Sequence, residues 1–360
     1  MNPWTEPIRD ASVWSGDDLR RDQSWKLSLT SQQTADMAKA LKQVKERGLQ
    51  FAEILRDDFP LPSLRETLQN ILDELRSGRG FVVLSGFPTD EYEIEDLEKL
   101  YWGFSTHLGT GVTQNCEAGL IHCITDGKLR PEKARQLGKP TPVALHVDLA
   151  DCVSFLCVRQ APDDPHSVVA SSMKVYNEIL RQHPEYLPRL YEGFIWNRIE
   201  TYPSETPYSN FKVPAFSAAD GKVTCRFHPG WIRGGMKEAG VELTDEETEI
   251  FDFIAATAEE HSFAFPLHKG DIFFCNNYTV FHGRAGHGEI EAESDKRVLL
   301  RVWLDLPAVR PFTDEGSVRY GAVRHGKMGW TAAQLLADEH LTPHQRREDG
   351  VPEVLISSRA

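Results

Sequence analysis

The order of apolar and polar residues divides the chain into a helical first part and a longer part made of short apolar runs. Residues 31–57 and 61–80 are rich in good helix formers and carry glycine stops, which predicts two helices. Ser63 is the expected N-cap of the second helix. The run 81–87 is short, aromatic and β-branched and predicts a buried strand, and residues 90–109 predict a third helix.

After about residue 120 the chain changes to short apolar runs separated by proline, glycine, aspartate and asparagine, a pattern that predicts strands. Further helices are predicted over residues 174–193, 244–262 and 330–340. The sequence has no β-α-β alternation and no glycine-rich phosphate loop, so nothing supports a Rossmann or P-loop fold. We therefore expect a mainly β fold with flanking helices, in which a β-sandwich or jelly-roll barrel is wrapped in helix. The predicted strands are 141–149, 152–160, 167–172, 222–227, 270–277 and 297–306.

We predict one domain over residues 1–360, because no internal repeat or low-complexity linker interrupts the chain. Within it we expect a helical region over 1–78, a β core with inserted helices over 79–307, and a polar tail over 308–360. The tail is expected to act as a cap or an interface element, so a homo-oligomer is left open.

Composition narrows the class of partner. The net charge of −14 argues against a nucleic-acid partner, because such binding depends on lysine and arginine neutralising phosphates. No apolar stretch is long enough to span a bilayer, and the polar, charged N-terminus does not resemble a signal peptide. The six cysteines are scattered without a CxxC pair. We therefore expect a cytoplasmic protein, in which an anionic small substrate would need arginines of its own inside a pocket.

The segment LHVDL, residues 145–149, carries the first chemically informative pair. Side chains alternate between the two faces of a strand, so His146 and Asp148 share one face. Burying a charged group without a partner is costly, and a divalent metal would supply the partner. The alternative is a simple His–Asp hydrogen bond, which is the commoner meaning of an isolated HxD.

A second histidine lies in the run GDIFFCNNYTVFHGR, residues 270–284. Here an apolar strand leads to polar asparagines and then to His282. Two histidines and one carboxylate leave coordination positions open, which suits iron(II) that must also bind a cosubstrate and oxygen. Zinc would usually have a third nitrogen or sulfur ligand, or a closed tetrahedron. His287 is the competitor of His282, but it lies in the glycine-rich loop AGHGE, and we interpret it as a solvated histidine.

The strand KRVLLRVWLDL contributes two arginines, Arg297 and Arg301, four positions apart on one face. Arginines on a buried strand need carboxylates, preferably held through two parallel hydrogen bonds. The alternative is a structural salt bridge.

These motifs, in this order, resemble the TauD/TfdA family of iron(II)- and 2-oxoglutarate-dependent oxygenases, and most of all its gamma-butyrobetaine hydroxylase-like and clavaminate synthase-like branches. The resemblance rests on the HxD pair, on His282 within NNYTVFHGR, and on Arg297 fifteen positions later. It extends from the entry strand RGFVVLSGFP, near residue 79, to residue 306. The family fold is a double-stranded β-helix, also called a jelly-roll or cupin-like core.

The resemblance also implies roles for individual residues. His146, Asp148 and His282 match the iron ligands of the family, and Arg297 matches the arginine that binds the distal carboxylate of 2-oxoglutarate. Ser167 falls where the family has a serine or threonine that contacts the same carboxylate. Here the chain departs from the family pattern, since Asp-Pro-His at 164–166 replaces a Gly-Gly pair.

The second arginine, Arg301, matches a residue that contacts either the inner carboxylate of 2-oxoglutarate or an anionic group of the substrate. The implied cofactors are iron(II), 2-oxoglutarate as cosubstrate, and O2. The implied reaction oxidises an unactivated C–H bond by hydroxylation, desaturation or cyclisation, and 2-oxoglutarate is converted to succinate and CO2.

The substrate is expected to be a small carboxylate-bearing molecule such as an amino acid. Candidate substrate contacts are Gln114, Asn115 and Arg226, together with Arg301. Gln114, Asn115 and Arg226 lie in two of the segments that we expect to face the pocket, 109–115 and 225–235; the third segment is 197–198. Two alternatives stay open: a non-catalytic jelly-roll binding protein, and a cupin-type metalloenzyme that needs no 2-oxoglutarate.

Overall fold

The computed structural model describes residues 2–114, 119–125, 140–198, 206–311 and 329–337. Its strands form two principal sheets and a separate hairpin. In chain order the strands are β1 (Lys26–Ser28), β2 (Phe81–Ser85), β3 (Thr110–Val112), β4 (Ile121–Ile124), β5 (Val143–His146), β6 (Cys152–Arg159), β7 (Ser167–Ser171), β8 (Phe216–Ala219), β9 (Lys222–Cys225), β10 (Phe263–Phe265), β11 (Ile272–Asn276), β12 (Val280–Arg284) and β13 (Val298–Asp305).

Helices surround these sheets. They are α1 (Gly16–Arg21), α2 (Ser31–Glu46), α3 (Arg65–Arg76), α4 (Ile94–Ser105), α5 (Ser172–Gln182), α6 (Leu187–Glu192), α7 (Pro229–Glu238), α8 (Asp245–Glu260) and α9 (Ala332–Leu336). None of these helices combines the length and the apolar character that crossing a membrane requires, as far as the described residues go.

The larger sheet has the strand order β1-β2-β11-β6-β13-β3, and β4 also pairs with β13. The smaller sheet has the order β10-β7-β12-β5, and β8 pairs with β9 as a hairpin. The described strands leave the two sheets separate, so the core is a pair of packed sheets and not a closed barrel. The predicted mainly β core of the jelly-roll type with flanking helices is confirmed.

Two-residue alternation divides the side chains of the larger sheet between two hydrophobic clusters. Val82 and Leu84 pack beneath α2, α3 and α4, whereas Phe81 and Val83 pack between the sheets. The same alternation in β13 directs Leu299 and Trp303 toward the smaller sheet and Leu300 toward the helices. Arg301 is in phase with Leu299 and Trp303 and therefore faces the space between the sheets.

The helix predictions were correct in type but not in every boundary. The second helix begins at Arg65 after a 3-10 turn over Pro62–Leu64, so Ser63 is not its N-cap; Leu64 occupies that position. The segment 174–193 forms two helices, α5 and α6, with a 3-10 turn at Pro184–Tyr186 between them. Proline cannot donate the backbone hydrogen bond that would continue α5.

Candidate metal centre and substrate cavity

Two neighbouring strands of the smaller sheet bring the predicted histidines together. His282 of β12 lies directly opposite His146 of β5 in the antiparallel register, and their rings are 4.5 Å apart between centroids. Gly283 permits this close pairing, because a Cβ at that position would lie 2.5 Å from the backbone oxygen of Val143. Directly opposed residues are the closest side-chain neighbours in a sheet. Strand pairing therefore joins two histidines that are far apart in sequence.

Asp148 completes the group just after the end of β5. Its Oδ1 is 3.6 Å from Nε2 of His146, and its Oδ2 is 3.9 Å from Nε2 of His282. The potential ligand atoms of the three residues all lie within 4.8 Å of one another. HxD and the distal histidine thus form one cluster, as the sequence predicted.

Neighbouring groups fix the orientation of these side chains. Nδ1 of His146 donates to the backbone oxygen of Ala144 at 2.7 Å, so the lone pair of the neutral ring is on Nε2. The backbone N–H of Asp148 donates to the side chain of Asn277 at 3.0 Å, and the indole N–H of Trp303 donates to Oδ2 of Asp148 at 3.0 Å. The sulfur of Cys275 lies 3.9 Å from Nδ1 of His282.

The electrostatics keep Asp148 and His282 in the unprotonated forms that a metal needs. Burial by itself would raise the pKa of Asp148, but Arg301 and the two histidines outweigh it and hold the pKa well below its usual value. Burial, with a smaller contribution from His146, lowers the pKa of His282 to about 3. At neutral pH the site therefore presents a carboxylate and an uncharged imidazole.

The three side chains fit a divalent iron site. Nε2 of His282 is buried and has no hydrogen-bond partner in the described part of the chain, which is unusual for a polar atom unless a ligand completes it. Two imidazoles and one carboxylate are the donor set of mononuclear iron(II) oxygenases. His287 is not part of the cluster; its Nδ1 lies 2.8 Å from the backbone oxygen of Gly288 in the following loop.

A cavity of about 350 Å³ opens beside this cluster. Ser167, Arg297 and Arg301 line it, as expected from the sequence, and so does Arg284. Asp148 is the one carboxylate among the described lining residues. Arginines therefore dominate the charge of the cavity wall, and the cavity suits a ligand with anionic groups.

Arg297 is buried, immediately before β13. Its Nε donates to Oε1 of Gln160 at 2.8 Å. Burial, and in smaller part the neighbouring Arg284, lower its pKa to about 10, so the guanidinium is charged at neutral pH. No described carboxylate forms a salt bridge with it, which makes a salt bridge within the protein a poor explanation for this residue.

Arg301 lies next to the metal ligand Asp148, a contact that the sequence did not predict. Its Nη1 is 3.5 Å from Oδ2 of Asp148, and its Nε donates to Oε1 of Gln114 at 2.6 Å. Its surroundings are compatible with both of the alternatives that the sequence left open. It neighbours an acidic side chain, and it also lines the cavity.

Two of the predicted substrate contacts, Gln114 and Arg226, do not line the cavity. Gln114 is fully buried and does not line the cavity; it contacts Arg301 instead. Arg226 is buried in the core, where its guanidinium donates to the backbone oxygen of Leu149 at 2.7 Å and lies over the ring of Tyr278. It is a structural residue because its charge faces the protein interior and not the cavity. Asn115 lies outside the described residues.

His228 and Trp231 line the cavity and were missed as individual residues, although they lie in the segment 225–235 that we expected to face it. The two rings stack in parallel with centroids 4.0 Å apart, and the ring of His228 is 4.5 Å from that of His146. Gln160 and Arg284 were also missed. Nothing local distinguishes Gln160 from a surface glutamine, whereas Arg284 follows His282 in the HGR motif.

Comparisons with known proteins agree with this geometry. The family model described as "Taurine catabolism dioxygenase TauD, TfdA family" matches residues 40–303. The FR-33289 synthase of Streptomyces rubellomurinus is 27% identical over 88% of this chain and 96% of its own length. The taurine hydroxylase-like protein SAT17 of Stachybotrys chartarum is 24% identical over 82% of this chain and 79% of its own length.

Solved structures share the fold at lower sequence identity. An asparagine oxygenase in complex with Fe(II), hydroxyasparagine and succinate has a TM-score of 0.60 and 14% identity, over 78% of this chain and 93% of that protein. The non-heme iron oxygenase OrfP, in complex with Fe and alpha-ketoglutaric acid, has a TM-score of 0.56 and 16% identity over the same shares. The family model covers most of the chain and the His-Asp-His cluster is in place, so this protein belongs to the TauD/TfdA family and is an iron(II)- and 2-oxoglutarate-dependent dioxygenase.

Proposed function

We propose that His146, Asp148 and His282 hold the iron, that Arg297 and Ser167 bind the distal carboxylate of 2-oxoglutarate, and that the enzyme oxidises a C–H bond of a small carboxylate-bearing substrate such as an amino acid. The observation that carries the proposal is the shared cavity. It joins the His-Asp-His cluster to Ser167 and to three arginines. A cupin-type metalloenzyme without 2-oxoglutarate has no need of a buried arginine such as Arg297, and the intact ligand set together with Arg297 counts against a binding protein without activity.

The charge of the cavity supports a second anionic ligand beside 2-oxoglutarate. Arg284, Arg297 and Arg301 line it, with Asp148 as the one described carboxylate. Arg297 pairs with the distal carboxylate of the cosubstrate in this proposal. Arg301, which adjoins Asp148, then meets either the inner carboxylate of 2-oxoglutarate or a carboxylate of the substrate.

An amino acid is the preferred class because two proteins of this fold bind hydroxylated amino acids in their solved structures. One contains hydroxyasparagine and the other contains (3S)-hydroxy-L-Arg. Because the sequence identity to these two proteins is low, the similarity shows a shared fold and not a shared substrate. The anionic preference of the cavity is therefore the independent support from this chain.

Individual residues of this chain have different roles in the proposed reaction. Bound iron supplies the activation of O2 that is coupled to oxidative decarboxylation of 2-oxoglutarate. His146 offers Nε2 because Ala144 holds its Nδ1 proton, and the Trp303 indole orients Asp148 by donating to Oδ2. The apolar lining, which includes Phe155, Phe273 and Leu299, limits water near the reacting groups.

His228 and Trp231 form the wall of the cavity next to His146, and we assign the substrate to this side. The backbone N–H of Trp231 donates to Nδ1 of His228 at 3.3 Å, so the proton of the neutral ring is on Nε2. His228 can thus donate a hydrogen bond through Nε2. Arg297, held by Gln160, adjoins β13 of the larger sheet.

The test is a screen of the iron(II)-loaded enzyme for oxygen uptake and succinate release, using 2-oxoglutarate with panels of amino acids and organic acids. We expect at least one panel member to stimulate both. Mass spectrometry of that product distinguishes gain of an oxygen atom from loss of two hydrogen atoms. Failure of every carboxylate-bearing compound, by an enzyme shown to bind iron and 2-oxoglutarate, would reject the proposed substrate class.

A cytoplasmic location is part of this proposal. Its support is that Cys123, Cys152, Cys157, Cys225 and Cys275 are all free thiols and buried in the described chain. The homo-oligomer remains a prediction.

A further inference from the structure

The two arginines of the cavity that lie on or beside β13 are held in the same way, each by a glutamine. Arg297 donates through Nε to Oε1 of Gln160 at 2.8 Å, and Arg301 donates through Nε to Oε1 of Gln114 at 2.6 Å. These glutamines come from different parts of the chain. Gln160 follows β6 and Gln114 follows β3. The recurrence of one arrangement at both anion-facing side chains suggests a common purpose.

Each glutamine is itself fixed by the backbone. Nε2 of Gln160 donates to the backbone oxygen of Leu267 at 2.8 Å, and its Oε1 also accepts from the backbone N–H of Ala161 at 3.0 Å. Nε2 of Gln114 donates to the backbone oxygens of Leu120 and Arg301, both at 2.9 Å. Neither amide can therefore rotate without breaking several hydrogen bonds. The hydrogen-bonding pattern also fixes which end of each amide is the oxygen.

A guanidinium group is planar, and its N–H donors have a fixed relative geometry. A hydrogen bond at Nε therefore restricts the plane of the whole group. In Arg297 it leaves the Nη donors for a ligand, whereas in Arg301 Nη1 also lies 3.5 Å from Oδ2 of Asp148. Ordering a long side chain at a binding site normally weakens binding, and a side chain that is already ordered avoids that loss. The glutamines thus hold the arginines oriented before 2-oxoglutarate arrives.

The choice of glutamine over glutamate matters because an amide carries no charge. A carboxylate at position 160 would form an ion pair with Arg297 and compete with an anionic ligand for it. Gln160 satisfies Nε and leaves the positive charge uncancelled. No described carboxylate forms a salt bridge with Arg297, which fits this arrangement.

We propose that Gln160 is a positioning residue that fixes the guanidinium plane of Arg297 without neutralising it, so that Arg297 binds an anionic group in a preset orientation, and that Gln114 orients Arg301 in the same way. This inference rests on the proposed role of Arg297 in binding 2-oxoglutarate. It concerns residues that do not touch the iron cluster directly. The Gln160–Arg297 pair can be tested with a known ligand, 2-oxoglutarate.

The experiment measures 2-oxoglutarate binding to the iron(II)-loaded enzyme without oxygen, through the weak visible absorption that appears when 2-oxoglutarate chelates the metal. Gln160→Met keeps an unbranched side chain of similar length but loses the amide. We expect its Kd for 2-oxoglutarate to rise about three- to tenfold, the factor that corresponds to ordering one long side chain. Gln160→Glu keeps an acceptor for Nε but adds a negative charge, and we expect a larger rise.

Combination with Arg297→Lys separates a positioning role from a structural one. Lysine has no Nε–H, so Gln160→Met should add little to the loss already caused by Arg297→Lys. The control is Gln33→Met. Gln33 is also a buried bridging glutamine, whose Nε2 donates to the backbone oxygen of Ser63 at 3.2 Å and to Thr67 at 2.8 Å, but it lies outside the cavity. We expect Gln33→Met to lower Tm and to leave 2-oxoglutarate binding unchanged.

The possible outcomes distinguish the positioning role of Gln160 from the role of Arg297 in binding 2-oxoglutarate. If Arg297→Lys binds 2-oxoglutarate like the wild type, the proposed role of Arg297 fails. If Arg297→Lys is impaired while both Gln160 variants bind like the wild type, the positioning role is overturned and the role of Arg297 stands. A full effect of Gln160→Met in the Arg297→Lys background, or an equal effect of Gln33→Met, would also overturn it.

Discussion

The metal cluster and the arginine side of the cavity are built in different ways. His146 and His282 come from two strands that pair directly, so one register fixes both, and Asp148 follows His146 by two residues. Arg297 and Arg301 come from the other sheet, and their side chains are oriented by glutamines that follow β6 and β3. Backbone pairing thus places the two histidines, whereas side-chain hydrogen bonds orient the arginines.

The difference predicts how the two regions respond to substitution. Loss of a ligand in the cluster removes one of few metal-binding groups that the backbone holds in place, so the effect should be close to all-or-none. Loss of a contact on the arginine side should weaken one ligand by a graded amount. The predictions below test this contrast, from the largest expected effect to the smallest.

Replacing His146, Asp148 or His282 by Ala should abolish iron binding and turnover, because each supplies one atom of the clustered donor set. Bound iron is measured after desalting, and circular dichroism checks the fold. The matched control is His287→Ala, which removes a nearby histidine outside the cluster and should retain iron. Loss of iron from His287→Ala, together with its retention in His282→Ala, would show that the distal ligand is misassigned.

Arg297→Ala should raise the 2-oxoglutarate concentration needed for half-maximal turnover by at least tenfold. Leaving a buried carboxylate without its partner costs about 2–5 kcal/mol, and about 1.4 kcal/mol corresponds to a factor of ten. Arg297→Lys should recover only part of the loss, because an ammonium group cannot reproduce the planar fork. An unchanged 2-oxoglutarate titration in Arg297→Ala would show that Arg297 does not bind the cosubstrate.

Arg301→Gln should weaken substrate binding more than it weakens 2-oxoglutarate binding, by about tenfold for a charge-assisted contact. Decarboxylation of 2-oxoglutarate without substrate should remain measurable. The two binding constants are determined separately, with bound iron as a further measurement because Nη1 of Arg301 lies 3.5 Å from Asp148. Equal losses for both ligands, or a loss for 2-oxoglutarate alone, would show that Arg301 does not contact the substrate.

The smallest expected effect is at His228, where two substitutions distinguish the contribution of Nδ1 from that of Nε2. Asparagine can still accept the Trp231 N–H at the start of α7 but has no group equivalent to Nε2–H, whereas glutamine can place an amide N–H near that position. With the substrate found in the screen, His228→Asn should raise KM about two- to tenfold, as expected for one hydrogen bond, and His228→Gln should raise it less. The reverse order would mean that His228 only caps the helix.

The sequence by itself determined the HxD pair, its distal histidine and the mainly β character of the core. His146 and Asp148 are two residues apart, so they stay close whatever the rest of the fold does, although β5 ends at His146 and strand alternation does not extend to Asp148. The helix predicted over residues 244–262 is equally local: α8 begins at Asp245, and Thr244 and Glu247 form a capping box there. Such features depend on a few neighbouring residues and can be predicted from them.

Features that depend on several distant segments were decided by the tertiary structure alone. Arg226 and Arg301 look alike in sequence, each an arginine beside apolar strand residues, yet one is buried against Tyr278 and the other lines the cavity. Gln114 was expected to contact the substrate but holds Arg301, and Gln160 gave no signal at all. The reason is physical. Orienting a long side chain takes partners from other strands, and only sheet packing determines which partners lie within hydrogen-bond distance.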